Sequence, residues 1–249
     1  EIAQSTESDD QYFQRRFFLC GNVSHGSAQS NQNGYLYEGP QPECMELENT
    51  SPERIKALFA TQYAHRHHLA RSSWRERSRR LKALGDAILQ HQAEIQKALY
   101  NDFHKPNGET DMIEIYPILH EIRHARRNLR EWTRRRQVPT SLPFIGSRSY
   151  IYPEAKGVAL IISPWNFPVN LSIIPLISAI AAGNTVIIKP SENVPHTALV
   201  IEKLLGKVFP PEEVAVVQGG AETSQELLKM PFHHIFFTGS ERVGKIIMQ

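Results

Sequence analysis

From Gly157 onward the sequence repeats one alternation four times: a short apolar run, then a segment with helical spacing. The runs are Val158-Ala159-Leu160-Ile161-Ile162, Thr185-Val186-Ile187-Ile188, Val214-Ala215-Val216-Val217 and His234-Ile235-Phe236-Phe237. Runs without polar interruption suit strands covered on both faces, because a half-exposed strand alternates apolar with polar residues. Helical spacing follows each run, over about 170–182, 195–205, 221–229 and 239–248. Four strand–helix repeats predict a parallel sheet joined by right-handed crossovers, with helices over both faces. The expected fold class is α/β: N-terminal helices followed by the first part of a doubly wound, Rossmann-like sheet.

The preceding hundred residues read as helices. Thr50 or Ser51 followed by Pro52 and Glu53 is a helix start, with a capping hydroxyl, a proline in the first turn and an acid near the dipole. Ile55, Leu58, Phe59 and Gln62 then keep helical spacing. Trp74 opens a second helix that spacing carries to Tyr100, with Leu81, Leu84, Ile88, Ile95, Ala98 and Leu99 on one face. Lys105-Pro106-Asn107-Gly108 reads as a turn. A third helix is expected over about 111–136, with Met112, Ile115, Leu119, Ile122, Leu129 and Trp132 inward, and Arg123, Arg126, Arg127, Arg130 and Arg134 to Arg136 outward. Ser149 to Tyr152 reads as a strand. The expected organisation is a mostly disordered segment over 1–50, a helical part over 51–146, and a strand arm with βα units over 147–249.

Composition narrows the function. Hydrophobic residues make up 41% and charged residues 22%, which excludes a collagen, a wholly disordered chain and a disulfide-stapled mini-protein. The net charge of +2 is uneven: residues 1–50 carry −6, 51–150 carry +9 and 151–249 carry −1. The arginine-rich helix face could follow nucleic-acid phosphates, but a solvated face satisfies the same pattern, and no nucleic-acid partner is expected. His65, His67 and His68 lack a cysteine or acid to complete a ligand set, so no metal is expected. Cys20 and Cys44 cannot build a disulfide framework. No signal peptide is visible, and the longest apolar stretch, 171–188, is interrupted by Pro175, Gly183 and Asn184. A cytoplasmic chain without a membrane span is the expectation.

In doubly wound sheets, ligands bind beyond the carboxyl ends of the strands. That selects Ser163 to Pro168, Lys189 to Glu192, Gly219-Gly220 and Gly239 to Gly244. The last run, Gly239-Ser240-Glu241-Arg242-Val243-Gly244, suits a strand-to-helix turn that presents backbone N–H groups to phosphate, although it is not GxGxxG. Lys189 with Glu192 could hold ribose hydroxyls, or form a surface pair. Two prolines flank Asn166, and Trp165 and Phe167 can exclude water, which suits an amide pre-oriented toward an oxyanion.

Pro164-Trp165-Asn166-Phe167-Pro168, followed in order by Ala181-Ala182-Gly183-Asn184, Lys189-Pro190-Ser191-Glu192 and Phe237-Thr238-Gly239-Ser240 with Val243-Gly244, resembles the aldehyde dehydrogenase superfamily. The similarity covers about 52–249 and, around Gly244 to Met248, looks most like the class 3 or fatty-aldehyde branch. The resemblance implies NAD- or NADP-dependent oxidation of a small-molecule aldehyde to its acid. It implies Asn166 as the oxyanion-hole amide, and cofactor contacts from Ser163, Pro164, Trp165, Lys189, Glu192, Gly219, Gly239, Ser240, Val243 and Gly244. It further implies a homodimer or higher oligomer, with 147–153 in an oligomerisation arm. The family's catalytic glutamate, in a Glu-Leu-Gly-Gly-Lys segment, and its nucleophilic cysteine fall beyond Gln249. The chain is therefore expected to be an N-terminal fragment, inactive alone; the alternative is a non-catalytic dinucleotide-binding module or pseudoenzyme.

Overall fold

In the computed structural model the described residues are Met45 and 47–249; the two cysteines and most of the segment expected to be disordered lie outside them. Ser51 accepts the Arg54 N–H and Pro52 occupies the first turn, so helix α1 (Pro52–Ala70) begins at its capping signature. Helix α2 (Trp74–Gln90) opens with a capping box between Ser73 and Glu76. The long helix expected to reach Tyr100 is broken at His91, and the chain resumes as α3 (Gln92–Phe103). His91 leaves helical geometry at φ −103° and ψ 13°, and its ring Nδ1 lies 2.8 Å from the Ala87 carbonyl, which also accepts the His91 N–H at 3.0 Å.

Only Lys105 and Pro106 of the expected turn stay outside helices. Asn107 starts a single-turn helix α4 (Asn107–Thr110), which passes through a π turn (Asp111–Ile115) into α5 (Tyr116–Trp132). The π turn shifts the helical phase, and Met112, placed inward by spacing, is 74% exposed. Helix α5 ends at Trp132, which is also exposed, resting beside His124 instead of entering the core. Arg136 belongs to strand β1 (Arg136–Val138), which pairs antiparallel with β2 (Ser149–Ile151).

The main sheet follows the expected alternation: β3 (Val158–Ile162), α6 (Pro168–Ala182), β4 (Thr185–Lys189), α7 (Pro195–Val208), β5 (Val214–Val216), α8 (Ala221–Leu228), β6 (His234–Phe237) and α9 (Glu241–Ile247). All four strands are parallel, in the order β5-β4-β3-β6. Every residue of β3 and β4 is buried, because each strand has two neighbours and a helical layer on either face. Ile161, Val186 and Ile188 join the layer built by α2, α3, α5, α6 and α7. Leu160, Ile162 and Ile187 face the other layer, with Ile55 and Phe59 of α1 and Leu227 of α8. Gln62, spaced as an apolar position, is fully buried and donates to the Val186 and Pro211 carbonyls at 2.9 and 3.0 Å, which fastens α1 to the sheet. Strand β6 has one neighbour, and His234 and Phe236 are exposed. Among the described residues no helix is long and apolar enough to cross a membrane.

Candidate functional site

The strand order reverses at β3, and a doubly wound sheet opens a crevice at such a reversal. Ile162 and Phe237 are register partners, and Thr238 N–H donates to the Ile162 carbonyl at 3.2 Å. The loops after β3 and β6 therefore leave the sheet side by side. Ser163 N–H donates to the Lys189 carbonyl at 3.1 Å, which ties the loop after β4 to the same edge.

The loop after β3 presents its side chains in different directions. Ser163 is buried; its hydroxyl lies 2.7 Å from Ser172 Oγ, which donates to the Pro168 carbonyl at 2.6 Å. The Ser163 side chain is thus engaged in the turn into α6, not displayed at the sheet edge. Trp165 is half-buried, with its ring 6.3 Å from that of Phe103. Asn166 is exposed, and its Oδ1 accepts the Phe167 N–H at 3.0 Å. With the oxygen held by the backbone, the amide turns its Nδ2 donors toward other acceptors.

Beneath this loop lies a support that spacing does not reveal. Lys105 Nζ is 2.9 Å from Glu114 Oε1, with both side chains buried, and it stands 5.1 Å from the Phe167 ring centre. Glu114 Oε2 accepts the Asn170 N–H at 2.8 Å, and Asn170 Nδ2 donates to the Ile113 carbonyl at 2.9 Å. Burial pushes the Glu114 carboxyl above the usual range, while the Lys105 charge and the Asn170 N–H pull it back. The available signal was an acid standing four and eight residues before the apolar Ile118 and Ile122, in line with the inward face.

Lys189 is buried at the end of β4, with Nζ 2.6 Å from Oε2 of the exposed Glu192. Glu192 Oε1 faces the third loop, since a Cβ on Gly220 would fall 3.9 Å from it. Gly219 has φ +134°, and a Cβ there would overlap Thr223 Oγ1 and Asn49 Oδ1, so only glycine fits. After β6, a Cβ on Gly239 would overlap the Phe237 ring, which also lies against Gly244. Ser240 caps α9, its Oγ accepting the Val243 N–H at 3.5 Å. The four predicted loops thus all emerge from one edge of one sheet. The arginines of α5 engage α2: Arg126 donates to Ser78 at 3.2 Å, and Arg130 stands over the Trp74 ring.

The model of the aldehyde dehydrogenase family matches residues 38–249. The 4,4'-diaponeurosporen-aldehyde dehydrogenase of Staphylococcus aureus is 45% identical over 173 residues, covering 70% of this chain and 38% of that protein. Aldehyde dehydrogenase family 3 member B2 of Mus musculus is 44% identical over 172 residues, covering 69% of this chain and 36% of that protein. The chain therefore spans well under half the length of these relatives. Among solved structures, the substrate-bound state of Staphylococcus aureus AldH superposes with a TM-score of 0.76 at 42% identity, covering 78% of this chain and 43% of that one. Two structures at 22% identity share the fold: a Mycobacterium tuberculosis aldehyde dehydrogenase complexed with NAD+ (TM-score 0.73, 81% of this chain and 42% of that one) and the Methanocaldococcus jannaschii glyceraldehyde-3-phosphate dehydrogenase GapN complexed with NADP (0.70, 91% and 48%). With a parallel sheet in this strand order, the loop sequences at its edge and a family match across most of its length, the chain belongs to the aldehyde dehydrogenase family.

Proposed function

We propose that this chain forms the nucleotide-binding part of an enzyme that oxidises an aldehyde to a carboxylic acid with NAD or NADP. The observation that carries this reading is the Lys189–Glu192 pair facing a turn open only to glycine at Gly219. In the overall reaction an aldehyde, water and NAD(P)+ give the acid, NAD(P)H and a proton. The nicotinamide, when bound, supplies the hydride acceptor. Lys189 and Glu192 hold ribose hydroxyls, and the backbone at Gly219 lets the ligand approach. Gly239, Ser240, Val243 and Gly244 form the pyrophosphate turn. Asn166 donates through Nδ2 to the aldehyde oxygen as it gains negative charge, with Trp165 and Phe167 flanking it in the loop.

The 249 residues contain no Glu-Leu-Gly-Gly-Lys segment. We assign the nucleophile and the water-activating base to sequence outside this chain, so that the chain alone binds nucleotide without oxidising aldehyde. The β1–β2 arm, with exposed Leu142, Phe144, Ile145 and Ile151, is assigned to contact with a second subunit. The test is a titration of tryptophan fluorescence with NAD and NADP, alongside an assay for NADH formation with an aldehyde. Saturable binding without NADH supports the reading. No binding of either nucleotide overturns it, and NADH formation overturns the assignment of the catalytic groups elsewhere.

A further inference from the structure

Asn49 and Thr50 come from the segment whose composition predicts no fixed structure, yet both are bonded to the loop after β5. Thr50 N–H donates to the Gln218 carbonyl at 2.9 Å, and Gln218 N–H donates to Thr50 Oγ1 at 3.0 Å. Asn49 Oδ1 accepts the Gly220 N–H at 2.9 Å and the Thr223 hydroxyl at 3.2 Å. Gly220 stands at the N-cap of α8 and has no side chain with which to satisfy the orphan donors of that helix. Asn49 accepts the N–H of the cap residue itself from another part of the chain, the bond that the third-residue acid of a capping box makes from within.

The neighbouring backbone packs against the same oxygen. Gly219 sits at φ +134°, which glycine adopts freely and a residue with a side chain does not, and its Cα faces the Asn49 oxygen. On the other side of the turn, Gly220 faces Glu192 Oε1. One amide oxygen thus holds the turn in the shape that meets the proposed ribose site.

We infer that Asn49 is a positioning residue for nucleotide binding: it fixes the Gly219–Gly220 turn against Glu192 without touching the ligand. The inference rests on the nucleotide reading of this edge. A turn ordered beforehand spares the ligand the entropy of ordering it, so losing the clasp weakens binding even where the protein stays folded.

The test compares the 249-residue chain with Asn49→Ala and Asn49→Asp. Amide hydrogen exchange over 217–223 reads the clasp with no ligand present, and titration with NAD and NADP well below the unfolding midpoint reads its consequence. Asn49→Ala is expected to speed exchange at Gly220 and to weaken nucleotide binding about three- to tenfold. Asn49→Asp, which keeps an acceptor oxygen, restores slow exchange. A purely structural role would lower the unfolding midpoint and leave the dissociation constant unchanged. Unaltered affinity in Asn49→Ala, with the unmodified chain binding, overturns the clasp alone. Failure of the unmodified chain to bind either nucleotide overturns the reading beneath it.

Discussion

Lys105 Nζ and Glu114 Oε1 are 2.9 Å apart with both side chains buried, and the second Glu114 oxygen receives the Asn170 N–H. One carboxylate therefore joins the turn after α3 to the first turn of α6, directly below the loop that carries Asn166. Removing one partner of a buried pair strands the other charge away from water. Glu114→Ala is expected to destabilise the fold by about 3–5 kcal/mol. Lys105→Met combined with Glu114→Gln, which keeps an acceptor for Asn170, recovers most of that loss. Urea unfolding measures both, and a single-variant loss under about 1 kcal/mol would show the pair to be dispensable.

Asp102 reaches from α3 to the start of α7, accepting the Thr197 N–H at 2.8 Å, the Thr197 hydroxyl at 2.7 Å and the His196 N–H at 3.3 Å. Burial pushes its carboxyl up, against the pull of the Thr197 bonds. The folded protein therefore keeps this proton to higher pH than the unfolded chain does. Its contribution to stability falls as pH rises from about 4 through the folded-state value. Asp102→Asn removes that titration, so the stability of the wild type minus that of the variant should shrink across the window. Unfolding free energies between about pH 3 and pH 7 test this, and a difference that grows with pH contradicts it.

Gly219→Ala forces a Cβ into Thr223 and Asn49 at a positive φ. A cost of about 1–3 kcal/mol is expected, together with weakened nucleotide binding, because the turn must move. An alanine variant with wild-type unfolding midpoint and affinity would show that the turn tolerates a side chain.

Glu192 is the exposed partner of a buried lysine at the proposed ribose site. Glu192→Gln is expected to weaken NAD binding about tenfold and to narrow any preference for NAD over NADP, because an anion there opposes a 2′-phosphate. Parallel titrations with the two nucleotides decide it. Equal losses for both would mean that the carboxylate plays no part in telling them apart.

The central strands were legible because burial on both faces leaves runs such as Val158 to Ile162 with no polar residue. The loops at their ends were legible for the same reason, since topology assigns ligands to that edge. The break at His91 was hidden because Ile88 and Ile95 keep helical spacing across it, with no glycine or proline to mark it. Met112 was misplaced because one extra residue in a π turn changes the phase and leaves no mark in composition. Lys105 with Glu114, and Asn49 with Gly220, depend on contacts between separate parts of the chain, which local periodicity does not encode. Ser163 stands at the same edge, and its burial, with the hydroxyl 2.7 Å from Ser172 Oγ, leaves no mark in the local sequence.

The order β5-β4-β3-β6 also governs when the molecule becomes competent. During synthesis three strands can assemble outward from β3 while its opposite flank stays bare. The cleft has only one wall until His234–Phe237 has emerged from the ribosome and docked. A nascent chain short of that point carries the proposed ribose contacts at Lys189 and Glu192 but not the turn at Gly239 to Gly244 proposed for the pyrophosphate, so only the docked strand completes the proposed dinucleotide site.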